Sequence, residues 1–292
     1  LKPSPLKKGD TLGIAAPAGP FKKSLFLKGV QQLKKVGFQV HYSKNIFSQK
    51  NYLAGSDQRR SHELNSLLSG PTKAILFARG GYGTQRILPL LTKKIRPKVV
   101  VGSSDLTILL NVLWQHHKLP SYYGPMVAPH FNFPKNAQRL KKMLTDPHSL
   151  FRQSLKAREI LKKGQAEGRL IGGCLSLLVA TLGTPWEVET KNSILFLEDT
   201  QEQPYAIDRM LTQLWQAGKF RSVKGIVFGT FRLGKSLFLP QTKSVIRDCL
   251  KNFKGPILWG IPFGHCPQPL FIPLGGKGKI SRDRLIITEG IF

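Results

Sequence analysis

Apolar residues in the first 130 positions fall in short runs separated by stretches of helical spacing. Thr11–Ala16 is a short apolar run that ends in the turn-rich Pro17-Ala18-Gly19-Pro20. Ser24–Val36 then places Leu25, Val30 and Leu33 among lysines at helical intervals, and Gly37 stops it. The pattern predicts a strand at Phe38–Tyr42, a helix at Asp57–Leu68, and a third strand at Ala74–Ala78 running into Arg79-Gly80-Gly81-Tyr82-Gly83. Thr84–Thr92 returns to helical spacing. Val99–Val101 reads as a buried strand, Gly102-Ser103-Ser104-Asp105 as a turn, and about Leu106 to His116 as an apolar helix. Strands alternating with helices imply a parallel sheet covered on both faces.

Beyond position 130 the pattern changes. Phe131-Asn132-Phe133-Pro134, a lysine-rich helix near Asn136–Leu144 and the basic stretch Lys156–Lys163 read as a connector. From Gly168 onward short apolar strands with Gly/Pro turns dominate: Leu170–Ile171, Ser193–Leu197, Gly225–Phe228, Ile257–Trp259 and Arg284–Thr288. One helix, Ala206–Ala217, follows Pro204. The expected fold is therefore α/β: an N-terminal parallel sheet flanked by helices (1–130), a connector (131–167), and a C-terminal β-rich mixed α+β domain (168–292). At 292 residues the chain is long enough for two such cores.

Composition alters this picture in one respect. Hydrophobic residues make up 41% and charged residues 21%, which excludes a disordered or fibrous chain. No apolar run approaches the roughly 18 residues of a membrane span. The formal charge, however, is +29, from 45 basic and 16 acidic side chains. Such a balance points to anionic partners such as nucleic acid, an anionic membrane surface or an acidic wall polymer, or else to a lysine-coated surface that serves solubility. Cys174, Cys249 and Cys266 form no C-x-x-C, which excludes a disulfide scaffold and a zinc ribbon and fits a reducing compartment. The start at Leu1, with no apolar signal region, also fits an exported chain from which a leader has been removed.

Several residues could carry chemistry. Ser104 lies between a strand and a helix, so its hydroxyl projects beyond the sheet edge with the N–H of Asp105 aimed at the same space. The match to G-x-S-x-G is incomplete, because Leu106 replaces the last Gly, and Ser103, Ser104 or Asp105 could equally cap the helix. The glycines after Arg79 let backbone N–H groups approach an anion, or they simply form a tight turn. A serine nucleophile needs a base and the base an orienting carboxylate. Among seven histidines, His265 stands out in the irregular loop Gly264-His265-Cys266-Pro267. In so basic a chain, Glu198-Asp199 directly after the apolar Ile194–Leu197 suggests either a functional pair or a salt bridge. Gly229–Ser236 satisfies G-x-x-x-x-G-K-[ST], yet Pro240 would fall in the second turn of the helix that a phosphate-binding loop must open. No metal-ligand spacing, cofactor fingerprint or specific nucleic-acid motif is evident.

Taken together, these segments resemble the LD-carboxypeptidase family of serine peptidases, which also contains the microcin C immunity hydrolases. The resemblance rests on Leu6–Thr11, Tyr52–Asp57 with Arg60, Ala78–Gly83, Gly102–Thr107, Tyr123–Met126, Gly168–Gly173, Leu197–Asp199, Ile207–Leu211, Pro262–His265 and Pro273–Gly275, in that order. It implies a catalytic triad with Ser104 as nucleophile, His265 as general base and Glu198 as orienting carboxylate. Oxyanion donors would be the N–H of Asp105 and one from Gly80 or Gly81. It implies no cofactor, frequent homodimers, and hydrolysis of the bond between meso-diaminopimelate and terminal D-alanine in murein tetrapeptides. Muropeptides, or intact peptidoglycan, would be the substrate. Microcin-type hydrolysis of an acyl-adenylate is the alternative within the family. A non-catalytic basic module that binds cell wall or nucleic acid is the alternative outside it. Relatives of the recycling type work in the cytoplasm, whereas the high charge suits an exported enzyme.

Overall fold

The computed structural model describes residues 2–146, 148 and 153–292. The chain divides into two compact units, 1–149 with 291–292, and 150–290.

In the first unit the elements run β1 (Thr11–Ala15), α1 (Lys23–Lys35), β2 (Gln39–Tyr42), α2 (Asp57–Ser69), β3 (Ala74–Phe77), α3 (Thr84–Ile87), β4 (Val99–Gly102), α4 (Thr107–His117), β5 (Ser121–Tyr123), α5 (Val127–His130) and α6 (Pro134–Thr145). Strands β3 and β4 are buried at every position, as strands covered on both faces must be. Five strands pair in parallel in the order β5-β4-β3-β1-β2. That order reverses direction at β1. A doubly wound sheet of this kind binds ligands beyond the carboxyl ends of its strands, where the crossovers diverge between β1 and β3. Helix α3 is shorter than its spacing predicts. Pro89 has no N–H to donate, and the chain tightens there into a 3₁₀ turn over Leu88–Leu90.

The second unit contains β6 (Ser154–Lys156), β7 (Glu159–Lys162), β8 (Ala166–Cys174), α7 (Leu175–Ala180), β9 (Ser193–Thr200), α8 (Pro204–Gln216), β10 (Gly225–Arg232), α9 (Pro240–Cys249), β11 (Ile257–Trp259), β12 (Ile272–Leu274), β13 (Lys277–Ser281) and β14 (Arg284–Glu289). Eight of these strands form one mixed sheet, in the order β6-β14-β13-β8-β9-β10-β11-β7. Its centre, β8 to β11, is parallel, and antiparallel strands flank it on both sides. The stretch read as a connector thus contributes α6 to the first unit and β6 and β7 to the sheet of the second. Gly229–Ser236 runs from β10 into a tight Leu233–Ser236 turn, and the next helix, α9, starts at Pro240. The helix begins four residues past Ser236 and is not opened by the Gly234-Lys235-Ser236 end of the stretch, which therefore lacks the geometry of a phosphate-binding loop.

Candidate active site

Strand β4 ends at Gly102, and the chain turns at once into a 3₁₀ turn over Ser104–Leu106 that leads into α4. Ser104 takes φ of +60°, a left-handed conformation that costs a non-glycine residue about 1–3 kcal/mol. This is the strained strand-to-helix turn that lifts a serine hydroxyl above the sheet edge. Two partners hold it. The Ser104 N–H donates to the Tyr123 hydroxyl at the end of β5, 3.0 Å away. On the other side Gly80 presses against the serine: a Cβ on Gly80 would stand 2.8 Å from Ser104 Cβ and 2.9 Å from its Oγ. Only a residue without a side chain fits there.

The same hypothetical Cβ would be 3.3 Å from the Asp105 nitrogen, so that N–H, Gly80 and the Ser104 hydroxyl border one small space. Among the described residues, neither the Gly80 nor the Asp105 N–H has a protein acceptor. Gly81, the other candidate donor, packs against Gly19. A bound carbonyl that develops negative charge here would meet donors already in place.

The Asp105 side chain has a separate task. Its buried carboxylate accepts the Thr84 N–H at 2.8 Å and is also bonded by Gly83, pinning the glycine loop to the serine turn. Burial raises its pKa, against those hydrogen bonds and the charge of Arg60. Arg60 is itself fully buried. It donates to the carbonyls of Pro17 and Gly83 and pairs with Asp57 at 2.5 Å. One guanidinium therefore ties together the loops after β1 and β3.

In the second unit β9 carries two carboxylates at its end, and alternation sends them to opposite faces. Glu198 is fully buried. Its Oε2 accepts the His265 backbone N–H at 3.0 Å and bonds His265 Nδ1 at 2.6 Å. Gly264 makes that approach possible. It has φ of +87°, and any side chain on it would collide with the Glu198 carboxylate. The preceding Phe263 is held edge-to-face against Phe196, and its carbonyl accepts both the backbone N–H and the hydroxyl of Thr230. The imidazole is thus fixed in tautomer and orientation, with Nε2 left for other work. Its side chain keeps 22% of its surface exposed, enough to meet a substrate. Burial opposes charge on the ring, but the Glu198 carboxylate outweighs burial, and the His265 pKa is raised above 6.5.

Asp199, on the other face, is occupied structurally. It accepts the Ser176 N–H at 2.7 Å and the Thr200 N–H at 2.8 Å, with Cys174 Sγ 3.3 Å away. Burial, and then the neighbouring Glu198 charge, lift it to about 6. Among the described residues no three His, Cys, Asp or Glu side chains cluster as metal ligands.

Within its own unit, each half of the constellation is therefore assembled: serine, glycine and free N–H groups in the first, histidine and carboxylate in the second. Comparison with known proteins bears on both. The model of the LD-carboxypeptidase N-terminal domain matches residues 12–124, and that of the LD-carboxypeptidase C-terminal domain matches residues 167–280. The chain belongs to the LD-carboxypeptidase family. It is 36% identical to a probable murein peptide carboxypeptidase of Bacillus subtilis, over 99% of this chain and 95% of that one. It is also 29% identical to the microcin C7 self-immunity protein MccF of Escherichia coli, over 99% and 96% of the two chains. The crystal structure of muramoyltetrapeptide carboxypeptidase from Oxalobacter formigenes superposes with a TM-score of 0.83 at 27% identity, covering 96% of this chain and 99% of that one. The protein is thus a carboxypeptidase-type hydrolase with the mixed α/β fold of its family.

Sequence reasoning about the LD-carboxypeptidase motifs named the serine, the glycines, the histidine and the glutamate. It assigned no role to Tyr123 or Arg60 and offered the Asp105 side chain only as a possible helix cap; all three hold backbone in place, Asp105 by accepting the Thr84 N–H.

Proposed function

We propose that the protein is a serine LD-carboxypeptidase that cleaves the amide bond between meso-diaminopimelate and the terminal D-alanine of murein tetrapeptides. Ser104 Oγ attacks the diaminopimelyl carbonyl while His265 Nε2 takes its proton. The oxyanion is held by the N–H groups of Asp105 and Gly80. Collapse of the tetrahedral intermediate expels D-alanine, whose amine receives the proton from His265, and leaves an acyl ester on Ser104. Water, deprotonated by His265, releases the tripeptide. Glu198 keeps the Nδ1 proton on the ring and stabilises the imidazolium at each transfer. Losing one oxyanion donor would cost about 3–4 kcal/mol of transition-state stabilisation.

The observation that carries this reading is the 2.6 Å bond between His265 Nδ1 and a fully buried carboxylate, in a chain whose first unit supplies a serine in a left-handed turn. The murein peptide is favoured over an acyl-adenylate by the 36% identical relative. The test is release of D-alanine from disaccharide tetrapeptide by the purified chain, alongside an aminoacyl sulfamoyl nucleoside as competing substrate. Release that disappears in Ser104→Ala supports the assignment. Full release by folded Ser104→Ala refutes it, and cleavage of the nucleoside alone would transfer the enzyme to the microcin type.

A further inference from the structure

The loops after β1, β2 and β3 border a cleft of about 590 Å³ whose walls include Gly19, Tyr52, Arg79, Gly81 and Tyr82. It lies where a sheet of this strand order receives ligands. Two of its lining residues, Arg79 and Gly81, flank Gly80, which abuts Ser104 Oγ. Two hydrogen bonds fasten its walls: Gly19 N–H to the Gly80 carbonyl at 3.0 Å, and Arg79 Nη1 to the Pro20 carbonyl at 2.7 Å.

Among the described residues, Arg79 is the one cation lining this cleft. Arg60 and Arg86, by contrast, both have Asp57 as an ion-pair partner. Arg79 has no carboxylate partner among the described residues. Its single bond to Pro20 occupies one of five N–H donors and fixes the direction of the guanidinium, leaving the rest of the fork open. A planar, oriented guanidinium without a counter-ion matches a carboxylate bidentately. Beside it, the exposed rings of Tyr52 and Tyr82 lie 5.8 Å apart and offer both an apolar wall and phenolic hydroxyls.

We infer that this cleft is the subsite for the leaving amino acid, and that Arg79 binds its free terminal carboxylate, so that Arg79 makes the enzyme an exopeptidase. The inference rests on the reading of Ser104 as nucleophile, because the leaving group of such an attack carries its carboxylate one carbon from the scissile nitrogen. Tyr52 and Tyr82 would then flank the small side chain of that residue. A peptide whose terminal carboxylate is capped, or that continues past this residue, would leave Arg79 unpaired, and would be rejected for that reason.

The test measures binding and turnover separately. Binding of the tetrapeptide acid and of its C-terminal amide to Ser104→Ala, by calorimetry, reports the subsite without chemistry. The acid is expected to bind at least tenfold more tightly than the amide. Adding Arg79→Gln should remove that difference while amide affinity stays within about twofold, and Arg79→Lys should restore part of it. In the otherwise unaltered enzyme, Arg79→Gln should raise KM for the acid at least tenfold, with kcat changing far less. Equal loss of acid and amide binding in Arg79→Gln would overturn the inference, as would undiminished selectivity. Failure of the nucleophile assignment shows elsewhere, as turnover that survives Ser104→Ala.

Discussion

Replacing Glu198 with Gln isolates the charge in the Glu198–His265 pair. The amide is isosteric, and its carbonyl oxygen can stand where Oε2 does and accept both the His265 backbone N–H and Nδ1–H. Packing around the buried side chain therefore changes little, and what disappears is the negative charge. At the observed 2.6 Å and an effective dielectric of about 20, the attraction between carboxylate and imidazolium is about 6 kcal/mol. The Gln dipole and the relieved cost of burying a carboxylate return part of this, leaving about 3–5 kcal/mol on a transition state that carries imidazolium. The rate of D-alanine release should then fall by a factor of roughly 10² to 10⁴. A second readout is the pH profile. The base must be neutral, and its pKa is raised, so the unaltered enzyme should lose activity as pH falls through a value above 6.5. Without the carboxylate, burial and the charge of Arg232 are opposed by Asp199 alone, and the limb should move to lower pH. Both are read from kcat/KM across pH 5–9, with circular dichroism to show that the variant folds. A loss below about tenfold, or an acid limb that does not move, would refute the role given to Glu198.

Other perturbations follow the same geometry. Gly80→Ala puts a methyl 2.8 Å from Ser104 Cβ and 2.9 Å from its Oγ; kcat should fall on the order of 10²-fold, and overpacking should cost about 1–3 kcal/mol of stability. Asp105→Ala strips the buried Gly83 and Thr84 N–H groups of their acceptor, and urea unfolding should show about 1–3 kcal/mol of lost stability. The net charge of +29 should attract a substrate with several carboxylates, so kcat/KM should drop several-fold between about 0.02 and about 0.2 M salt. A flat salt series would show that the charge has no part in substrate capture.

Much of the first unit was legible because its strands are buried on both faces and read as short apolar runs between helical spacings. β3, β4 and the turn at Ser104 emerge directly from such runs. The second unit was harder. β6 and β7 lie in a basic stretch whose apolar positions are too few to show a period, and only pairing at the edges of the larger sheet makes them strands. Helix α9 was missed although it carries its own marker: Pro240 stands at its first turn, where a missing N–H does no harm, and was read as a breaker instead. The site divides along the same line. Ser104, Glu198 and His265 each sit at the end of a strand or in a loop after one, where sequence context is informative. The hydroxyl of Tyr123 and the guanidinium of Arg60 act on backbone far away in sequence, and no local pattern announces such contacts.

The central claim is that Ser104 is acylated in the course of D-alanine release. Rapid mixing of the unaltered enzyme with excess tetrapeptide, followed by acid quench on the millisecond scale and intact-mass measurement, tests it directly. The expected result is a mass increase equal to the diaminopimelyl-terminated acyl group, located on the peptide containing Ser104 and absent from Ser104→Ala. Release of D-alanine at full rate with no adduct on Ser104, or an adduct on another residue, would contradict the account.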